Sequence, residues 1–440
     1  MTRNELALRA NEIQFVLKCV QDAECCAVVG LSNMGKSALL RSVQTASRSQ
    51  AEPADVLYIH IDFNLMVEMT EQAFYEIILR SALSALQTLE TEPVRERVQE
   101  AYRQVVDSSN PFRVPLGFNE GIIALCEGLG KRIVLLCDEF DEPFTEIDQR
   151  VFLNLRALHD RYAEKLCYIV ATAKRLEDMR EGAEIGEFGE LFAHQTLYLG
   201  PLTRTDMQRA TARLLGDDAA TDRDRDFVWQ QTGGHPGLIE AVCHVLGVIG
   251  VDMDEGDYGL VRDKLDSDLN VRAECVKLWN ALSASQQATL LEFVGGQGVE
   301  RDRLVPLLRQ GILRQTGHGI DVFGALFGGF VRRQRLVSAP YPPGVRVDVD
   351  SGEVWVDGKR TETLTDLEFR LLLLLYGRMG KLCDKYQIVE SVWGDEYIDQ
   401  VDDARIEKLV SRLRKKIELD TAEPRYLQTV RGRGYRLMEA

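Results

Sequence analysis

A short apolar run that leads directly into a glycine-rich loop constrains the fold of this chain more than any other feature. Residues 25–29 read CCAVV, residues 30–37 read GLSNMGKS, and a helical pattern follows at once. Glycines in such a loop let consecutive backbone N–H groups converge on phosphate oxygens, and the helix start adds its positive dipole end. The sequence therefore predicts a strand–loop–helix unit that binds the phosphates of a nucleotide.

Four more apolar runs indicate the sheet to which this unit belongs. They are VLYIHIDF at 56–63, RIVLLCDEF at 132–140, CYIVATA at 167–173 and QTLYLGPL at 195–202. Helical stretches separate them, and apolar strands that alternate with helices are typical of a parallel sheet covered on both faces. We expect residues 1–202 to form one α/β domain with the fold of a P-loop NTPase.

The apolar strand runs stop after Pro201, so the rest of the chain is organised differently. Residues 203–262 show helical patterns, and residues 263–337 predict a small helical module with a hairpin. The proline-rich residues 338–343 predict a stiff linker. Residues 344–440 predict short strands, three helices and a last hairpin.

The glycine-rich loop and the acids that end the run at 132–140 supply the chemistry of a nucleotide site. Lys36 would neutralise the β- and γ-phosphates, and Ser37 would offer its hydroxyl to Mg²⁺. Asp138 would hold the Mg²⁺ shell, and Glu139 would polarise a water for attack on the γ-phosphate. The alternative is that the acids after Asp138 form only a solvated loop. Lys174, after the next apolar run, is either a γ-phosphate sensor or an ordinary surface cation.

Positive charge is concentrated near the C-terminus of a chain whose net charge is −16. Residues 404–417 predict an amphipathic helix with an apolar stripe and a basic face. The stripe is Ile406, Val410, Leu413 and Ile417, and the basic face is Arg405, Lys408, Arg412 and Lys415. With Arg431 and Arg433 in the last hairpin, this pattern favours a helix in the DNA major groove and a wing beside it. The alternative is a basic helix that packs on the chain's own acidic surface.

Cysteine usage and hydropathy indicate the compartment. The nine cysteines include no CxxC pair, so we interpret them as buried thiols in a reducing cytoplasm rather than as a disulfide or metal framework. The N-terminal residues are polar and helical, unlike a signal peptide. Since no apolar run approaches ~18 residues, we expect no membrane contact.

Motifs spread over residues 5–335 resemble the STAND class of AAA+-related ATPases. They are GLSNMGKS, VLLCDEFD, ATAKR, YLGPLT and TGGHPG. The resemblance implies that a helical lid (203–262) and a winged helix (263–337) follow the NTPase domain. It also places Pro201 near the adenine, and it lets His235 face the nucleotide, although His235 is equally a candidate helix-start cap. Where the class has Thr-Ser-Arg, this chain has Thr-Ala-Lys ending at Lys174, so the role of that arginine is not carried over.

The nucleotide-binding set that we predict from the motif and from this resemblance is Gly30, Asn33, Met34, Gly35, Lys36, Ser37, Ala38, Lys174, Pro201 and His235. The predicted cofactors are ATP or ADP and Mg²⁺. Members of the class are switches, closed with ADP and open and self-associating with ATP.

The C-terminal motifs resemble the OmpR/PhoB-type winged-helix DNA-binding domain over residues 344–438. They are LTDLEFRLLLLL, VWGDEY, RLRKKI and PRYLQTVRGRGYRL. The resemblance implies that the basic helix enters the major groove and that Arg431 reaches the minor groove. The start of the helix, Ala404 to Val410, departs from the family pattern, so the DNA target is not carried over. The phosphoreceiver domain that usually precedes this domain is replaced by the ATPase.

These features together predict an ATP-dependent switch that acts as a DNA-binding transcription regulator and hydrolyses ATP slowly. Its expected partners are double-stranded DNA, further copies of itself in the ATP state, and a signalling protein of unknown identity. The alternative is a STAND scaffold in stress or phage defence, whose C-terminal winged helix binds a protein. A DNA-remodelling motor is less supported, because the sequence shows no clear arginine finger or pore loop. Residues 65–118 match no motif and are a candidate region for receiving the signal.

Overall fold

The computed structural model describes most of the chain, and it divides into two compact units. The described residues are 8–49, 55–87, 89–180, 183–216, 220–249, 257–296, 298–317, 319–334, 344–349, 352–394, 401–418, 420–421 and 423–438. The predicted linker at 338–343 lies outside these residues. One unit comprises residues 1–210, 234–236 and 308–312, and the other comprises the remainder of the chain.

A five-stranded sheet forms the centre of the first unit. Its strands are β1 (Cys26–Val29), β2 (Val56–Asp62), β3 (Arg132–Asp138), β4 (Leu166–Thr172) and β5 (Thr196–Tyr198). They lie in the order β2-β3-β4-β1-β5, and every pair is parallel. Strand β4 is buried along its whole length, as expected for a strand with helices on both faces. The predicted parallel α/β sheet is confirmed.

Helices of the first unit surround this sheet. They are α1 (Ala10–Gln21), α2 (Lys36–Ser49), α3 (Glu71–Leu86), α4 (Glu92–Val106), α5 (Val114–Gly128), α6 (Asp141–Glu146), α7 (Gln149–Arg161) and α8 (Ala183–Gly189). Three short 3-10 segments lie at 63–65, 176–178 and 190–192. The region without a sequence motif, 65–118, folds mainly as α3, α4 and the start of α5, and apolar side chains of all three helices join the core of the sheet.

Helices and one hairpin make up the middle of the chain. The elements are α9 (Arg204–Leu215), α10 (Asp222–Thr232), α11 (Pro236–Ile249), α12 (Asp257–Ser267), α13 (Leu269–Ala281), α14 (Ala284–Val294), α15 (Arg301–Arg309), β6 (Leu313–Thr316), β7 (Gly319–Val322) and α16 (Ala325–Arg333). In the second unit, α16 packs on α13, α14 and β7. Trp279 and Phe330 meet there with ring centroids 6.4 Å apart. Residues 269–333 are called the middle module below.

The C-terminal domain, residues 344–438, also lies in the second unit. It contains β8 (Val345–Asp348), β9 (Glu353–Val356), β10 (Lys359–Arg360), α17 (Asp366–Gly377), α18 (Lys385–Trp393), α19 (Asp403–Ile417), β11 (Leu427–Val430) and β12 (Gly434–Leu437). The predicted stripe of α19 is buried, and Leu409 extends it. The carboxylate of Glu418 accepts the backbone N–H groups of Arg425, Tyr426 and Leu427, which fixes the hairpin at the end of this helix. The predicted C-terminal winged helix is confirmed.

All nine cysteines are buried and free, which agrees with their interpretation as buried thiols. Among the helices that the structure describes, none is long and apolar enough to span a bilayer.

Candidate functional site

The glycine-rich loop has a backbone that few other sequences would allow. Asn33 and Gly35 adopt left-handed conformations with φ of 56° and 88°, which are accessible mainly to Gly and Asn. A Cβ at Gly30 would lie only 2.9 Å from the carbonyl oxygen of Leu199. Helix α2 begins at Lys36, so its unpaired N–H groups face the loop. The loop is therefore shaped by its backbone for an anion at the helix start.

Lys36 and Ser37 connect this loop to the end of β3. The Lys36 side chain is buried, and its ammonium donates to the carbonyl oxygen of Gly30 at 2.9 Å. The Ser37 hydroxyl donates to Asp138 Oδ1 at 3.1 Å. Residues 101 positions apart in the chain thus place a hydroxyl and a carboxylate side by side. The structure brings together the cation and the two oxygen ligands that the sequence predicts for phosphates and Mg²⁺.

More carboxylates gather at this sheet edge than the motifs predict. Asp62 ends β2 directly beside Asp138 in the parallel register, and His60 Nε2 lies 3.6 Å from Asp138 Oδ2. Burial raises the pKa of Asp138, and the hydrogen bond from Ser37 opposes that rise. Asp141 accepts the N–H of Ala173 at 2.7 Å and also has a pKa raised by burial.

Glu139 has the most unusual environment of these acids. Its backbone is left-handed, with φ of 54°, a conformation that is uncommon for glutamate and costs energy. Burial raises the pKa of its carboxyl from 4.5 to about 7, and the charge of Lys36 counteracts part of that rise. A carboxyl with a pKa near neutrality is suited to accept a proton from water.

The donor set fits a magnesium nucleotide. Mg²⁺ prefers oxygen ligands and is usually held by one or two protein groups together with phosphate oxygens, and the Ser37 hydroxyl and Asp138 carboxylate are such groups. The Lys36 ammonium rests on backbone carbonyls of the loop, where phosphate oxygens would be stronger acceptors for it.

The end of β4 supports the site through its backbone. The Thr172 hydroxyl donates to the carbonyl oxygen of Lys174 at 2.7 Å. The backbone N–H of Ala173 donates to the carboxylate of Asp141, the first residue of α6. The Lys174 side chain is exposed. Arg175 pairs with Glu177 at 2.5 Å. Lys174 as a γ-phosphate sensor stays a prediction.

Pro201 and His235 both lie beside the loop within the first unit. The ring of His235 is fully buried, and its Nε2 lies 3.4 Å from the carbonyl oxygen of Ser32. The N–H of Leu202 donates to Gly234 at 2.8 Å, so the turns that carry Pro201 and His235 are joined. A Cβ at Gly311 would lie 2.4 Å from Pro201 Cδ, so the segment 308–312 packs closely on the Pro201 turn.

Arg9 is a central residue of the site that sequence reasoning missed. It is 5% exposed and has a left-handed backbone with φ of 63°. Its guanidinium donates to the carbonyl oxygens of Met34 and Gly200, both at 2.7 Å, and its N–H donates to Asp206 Oδ2 at 3.3 Å. Burial lowers the pKa of Arg9. One side chain thus joins the phosphate loop to the turn before Pro201.

The predicted DNA-contacting cations lie in the second unit. Arg431 and Arg433 at the hairpin tip and Lys415 on α19 are exposed, whereas Arg405, Lys408 and Arg412 are half-buried. The Arg405 guanidinium lies over the Trp393 ring, 5.5 Å from its centroid.

Two other cations of α19 are structural. Arg414 donates to the carbonyl oxygen of Leu427 and so holds the hairpin. Lys416 pairs with the buried Glu368 of α17 at 2.8 Å. The basic charge of the helix is therefore divided between internal contacts and the surface.

Comparison with known proteins identifies both domains. Residues 8–216 match the family model Novel STAND NTPase 1. Residues 359–437 match the family model Transcriptional regulatory protein, C terminal. The STAND resemblance is thereby confirmed for residues 8–216, and the OmpR/PhoB-type resemblance for residues 359–437. The helical lid and the middle winged helix stay predictions.

The chain spans about two fifths of the length of the curated relatives that it matches. Over 93 residues, the chain is 43% identical to Sensory transduction protein RegX3 of Mycobacterium tuberculosis (strain ATCC 25618 / H37Rv), which is 21% of this chain and 40% of that protein. Over 92 residues, it is 40% identical to Uncharacterized transcriptional regulatory protein YrkP of Bacillus subtilis (strain 168), which is 21% of this chain and 39% of that protein. Among solved structures, the Walker-type ATPase PABY2304 of Pyrococcus abyssi aligns with 75% of this chain and 97% of its own at 12% identity, with a TM-score of 0.45.

Proposed function

We propose that this chain, which carries a STAND NTPase domain and the C-terminal domain of a transcriptional regulatory protein, is an ATP-dependent switch that controls its own binding to DNA. The observation that carries the proposal is the juxtaposition of Lys36, Ser37, Asp138 and Glu139 at one sheet edge. A domain that binds promoter DNA with no nucleotide control would not need this arrangement.

Each residue of the nucleotide site has a role that follows from its position. Lys36 would leave its carbonyl partners and neutralise the β- and γ-phosphates. Ser37 and Asp138 would hold Mg²⁺, which would neutralise charge on the phosphate oxygens. Glu139, with a pKa of about 7, would accept the proton of an attacking water. We propose slow hydrolysis of this kind as the step that resets the switch, with ADP in the resting state.

The turn around Pro201 offers a route from the nucleotide to the rest of the chain. Arg9 ties the loop to Gly200, and Gly311 packs on Pro201. The chain continues from Ile312 directly into β6 of the middle module. A change of the loop on ATP binding would therefore act on the segment that leads into the middle module, and the ATP state would favour self-association.

The C-terminal domain supplies the output. Arg431 and Arg433 on the hairpin, with Arg405, Lys408, Arg412 and Lys415 on α19, would contact phosphates and base edges of double-stranded DNA. We propose a cytoplasmic location for such a regulator, where its nine free thiols would stay reduced.

Substitution of Lys36 tests nucleotide control directly. DNA affinity of the wild type should differ between ADP and a non-hydrolysable ATP analogue, and in Lys36→Ala that difference should vanish, because the phosphates lose their main cation. Mobility shifts and titrations with promoter DNA measure both values. Lys18→Ala, which removes an exposed lysine from α1, is the matched control. Nucleotide control is wrong if Lys36→Ala responds to the two nucleotides as the wild type does.

A second candidate function is a STAND scaffold whose C-terminal domain binds a protein. It is favoured by two large apolar side chains that the first unit exposes, Phe112 in the connection from α4 to α5 (82% exposed) and Leu116 in the first turn of α5 (61% exposed). Exposed apolar groups of this size are typical of protein contacts. A DNA-binding regulator could also bind a signalling protein at this site. The two candidate functions are therefore distinguished by whether the C-terminal domain binds DNA.

A further inference from the structure

Four charged side chains join the middle module to the C-terminal domain within the second unit. Glu274 and Lys277 belong to α13, and Asp366 and Arg370 belong to the first turns of α17. Lys277 Nζ lies 2.5 Å from Glu274 Oε1 and 3.0 Å from Asp366 Oδ1. Arg370 Nη2 lies 3.7 Å from Glu274 Oε1, and its Nε lies 3.3 Å from Asp366 Oδ2. The charges therefore alternate around a closed ring, which is called the charge ring below.

We propose that the charge ring is a releasable latch that holds the C-terminal domain on the middle module in the ADP state and opens in the ATP state. This inference rests on the proposed function, because it names the contact through which the switch would act on the DNA-binding domain.

Burial distinguishes the charge ring from ordinary surface ion pairs. The side chains of Lys277 and Glu274 are only 4% and 9% exposed, and those of Asp366 and Arg370 are 29% and 31% exposed. Exposed ion pairs contribute little because water competes for them, whereas removal of one partner from a buried pair leaves a charge without compensation. Each helix pairs its own two charges, and the contacts Lys277–Asp366 and Arg370–Glu274 join the two pairs across the modules.

Backbone packing beside the charge ring makes the contact specific. Gly352, with φ of 72°, lies before β9, and a Cβ there would stand 2.3 Å from Val276 Cγ1 and 3.2 Å from Asn280 Nδ2. Val276 and Asn280 are on α13, between and after the two charged residues of that helix. The first sheet of the C-terminal domain thus approaches the same helix as α17 does.

The alignment of the charges favours release. Asp366 Oδ1 and Arg370 Nε are buried atoms that make no hydrogen bond to any described residue, although each is within ion-pair distance of a partner. A buried polar atom without an aligned hydrogen bond keeps much of its desolvation cost. Water would satisfy these atoms after separation, so opening the contact would recover part of that desolvation cost.

The charge ring is coupled to the basic helix through the start of α17. Glu368, in that first turn, closes the capping box with Thr365 and also pairs with Lys416 of α19. The hairpin cations Arg431 and Arg433 stay exposed while the charge ring is closed. The latch therefore sets the orientation and freedom of the DNA-binding surface and leaves its cations accessible. Two C-terminal domains of an assembled protein could adjust to paired DNA sites only after release.

A distance measurement on the full chain tests the latch independently of DNA. Because the native cysteines are all buried, spin labels can be directed to Leu269→Cys on α13 and Ser391→Cys on α18, both exposed positions. Pulsed electron–electron double resonance should give one narrow distribution of the distance between the two labels in the presence of ADP. Asp366→Lys puts a cation against Lys277 and Arg370, and it should broaden and lengthen the distribution. Asp366→Asn should do so more weakly.

A charge exchange shows whether any change comes from the latch or from misfolding. Reversal of all four charges, with Glu274→Lys and Lys277→Glu on α13 and Asp366→Lys and Arg370→Glu on α17, restores the alternation around the ring and should narrow the distribution again. Asp403 is an exposed acid that occupies the first position of α19, as Asp366 does in α17. Asp403→Lys is therefore the control for charge reversal at a helix start, and it should leave the distance unchanged. The latch is refuted if Asp366→Lys keeps the narrow wild-type distribution, or if the exchange fails to restore it.

Repeating the measurement with both nucleotides separates failure of the latch from failure of the proposed function. With a non-hydrolysable ATP analogue, the wild-type distribution should shift toward that of Asp366→Lys, and in Asp366→Lys the ratio of DNA affinities between the two nucleotides should fall to about one. If Asp366→Lys releases the C-terminal domain but the DNA affinity of the wild type is the same with both nucleotides, the proposed function is wrong, while the charge ring is still shown to hold the domain. If the DNA affinity of the wild type differs between the nucleotides while the distance between the labels does not, release of the latch is excluded and the proposed function still holds.

Discussion

In the nucleotide site, charged side chains are buried and held by the backbone of the first unit, whereas the C-terminal domain presents most of its predicted DNA-contacting cations at or near the surface. Lys36 rests on loop carbonyls and Glu139 has a pKa of about 7, whereas Arg431 and Arg433 stand on a hairpin tip. The difference corresponds to two tasks. Chemistry on a phosphate needs groups whose positions and proton affinities are fixed, while DNA binding needs accessible charge. Substitutions should therefore have sharp, residue-specific effects in the first region and graded, salt-dependent effects in the second.

The largest effect is expected at Glu139. Glu139→Gln keeps the shape of the side chain but removes the proton acceptor, so ATP turnover should fall by about 10²–10³-fold. Nucleotide affinity should change little, because Lys36, Ser37 and Asp138 remain. Steady-state hydrolysis and equilibrium nucleotide binding measure the two quantities. Glu146→Gln, an exposed acid on α6, is the control. Equal losses of turnover and affinity would show that Glu139 serves structure or binding instead.

A smaller and graded effect is expected on the basic face. Arg412→Ala combined with Arg431→Ala should weaken DNA binding by about 10–100-fold and should lower the dependence of log affinity on log salt by about 2. Nucleotide hydrolysis should be unchanged. The matched control is Arg378→Ala with Lys381→Ala, which removes the same charge from another part of the C-terminal domain. If the wild type has no DNA affinity to lose and the double variant still oligomerises, the scaffold function replaces the regulator.

The sequence predicted the two regions to different extents, for a physical reason. The phosphate loop, Asp138 and the buried stripe of α19 follow local rules of backbone conformation, strand burial and helical spacing, and each is visible in a short window. Arg9 is not, because its contact with Gly200 joins residues 191 positions apart. The only local signal was an arginine directly before a helix with an apolar face.

The charge ring between α13 and α17 is hidden for the same reason. Each helix alone shows only an ordinary pair of opposite charges one turn apart, and the closed ring forms only when the two helices meet. Parallel strand register likewise brings Asp62 beside Asp138, which no motif predicts. Long-range contacts of this kind depend on the three-dimensional fold, so local patterns identify the chemistry of a site better than they identify the residues that position it.

The smallest effect is a pH dependence of stability that distinguishes the buried acids from the exposed cations. Burial raises the pKa of Glu139 from 4.5 to about 7, so the folded protein binds more protons than the unfolded chain between these values. The free energy of unfolding should therefore fall as pH rises through this window and level off above pH ~7, with Glu139 contributing about 1–3 kcal/mol.

Urea unfolding of the wild type and Glu139→Gln from pH 4.5 to 8 measures this contribution together with the electrostatic coupling of Glu139 to Asp138 and Asp141, which are present in both proteins. The Gln variant should gain stability relative to the wild type as pH rises, since a neutral amide avoids the cost of burying a carboxylate. Arg431→Ala, at an exposed cation, should follow the wild-type curve throughout. Parallel curves for the wild type and Glu139→Gln would mean that Glu139 is as well solvated as the hairpin arginines, and the contrast between the two regions would then not hold at this residue.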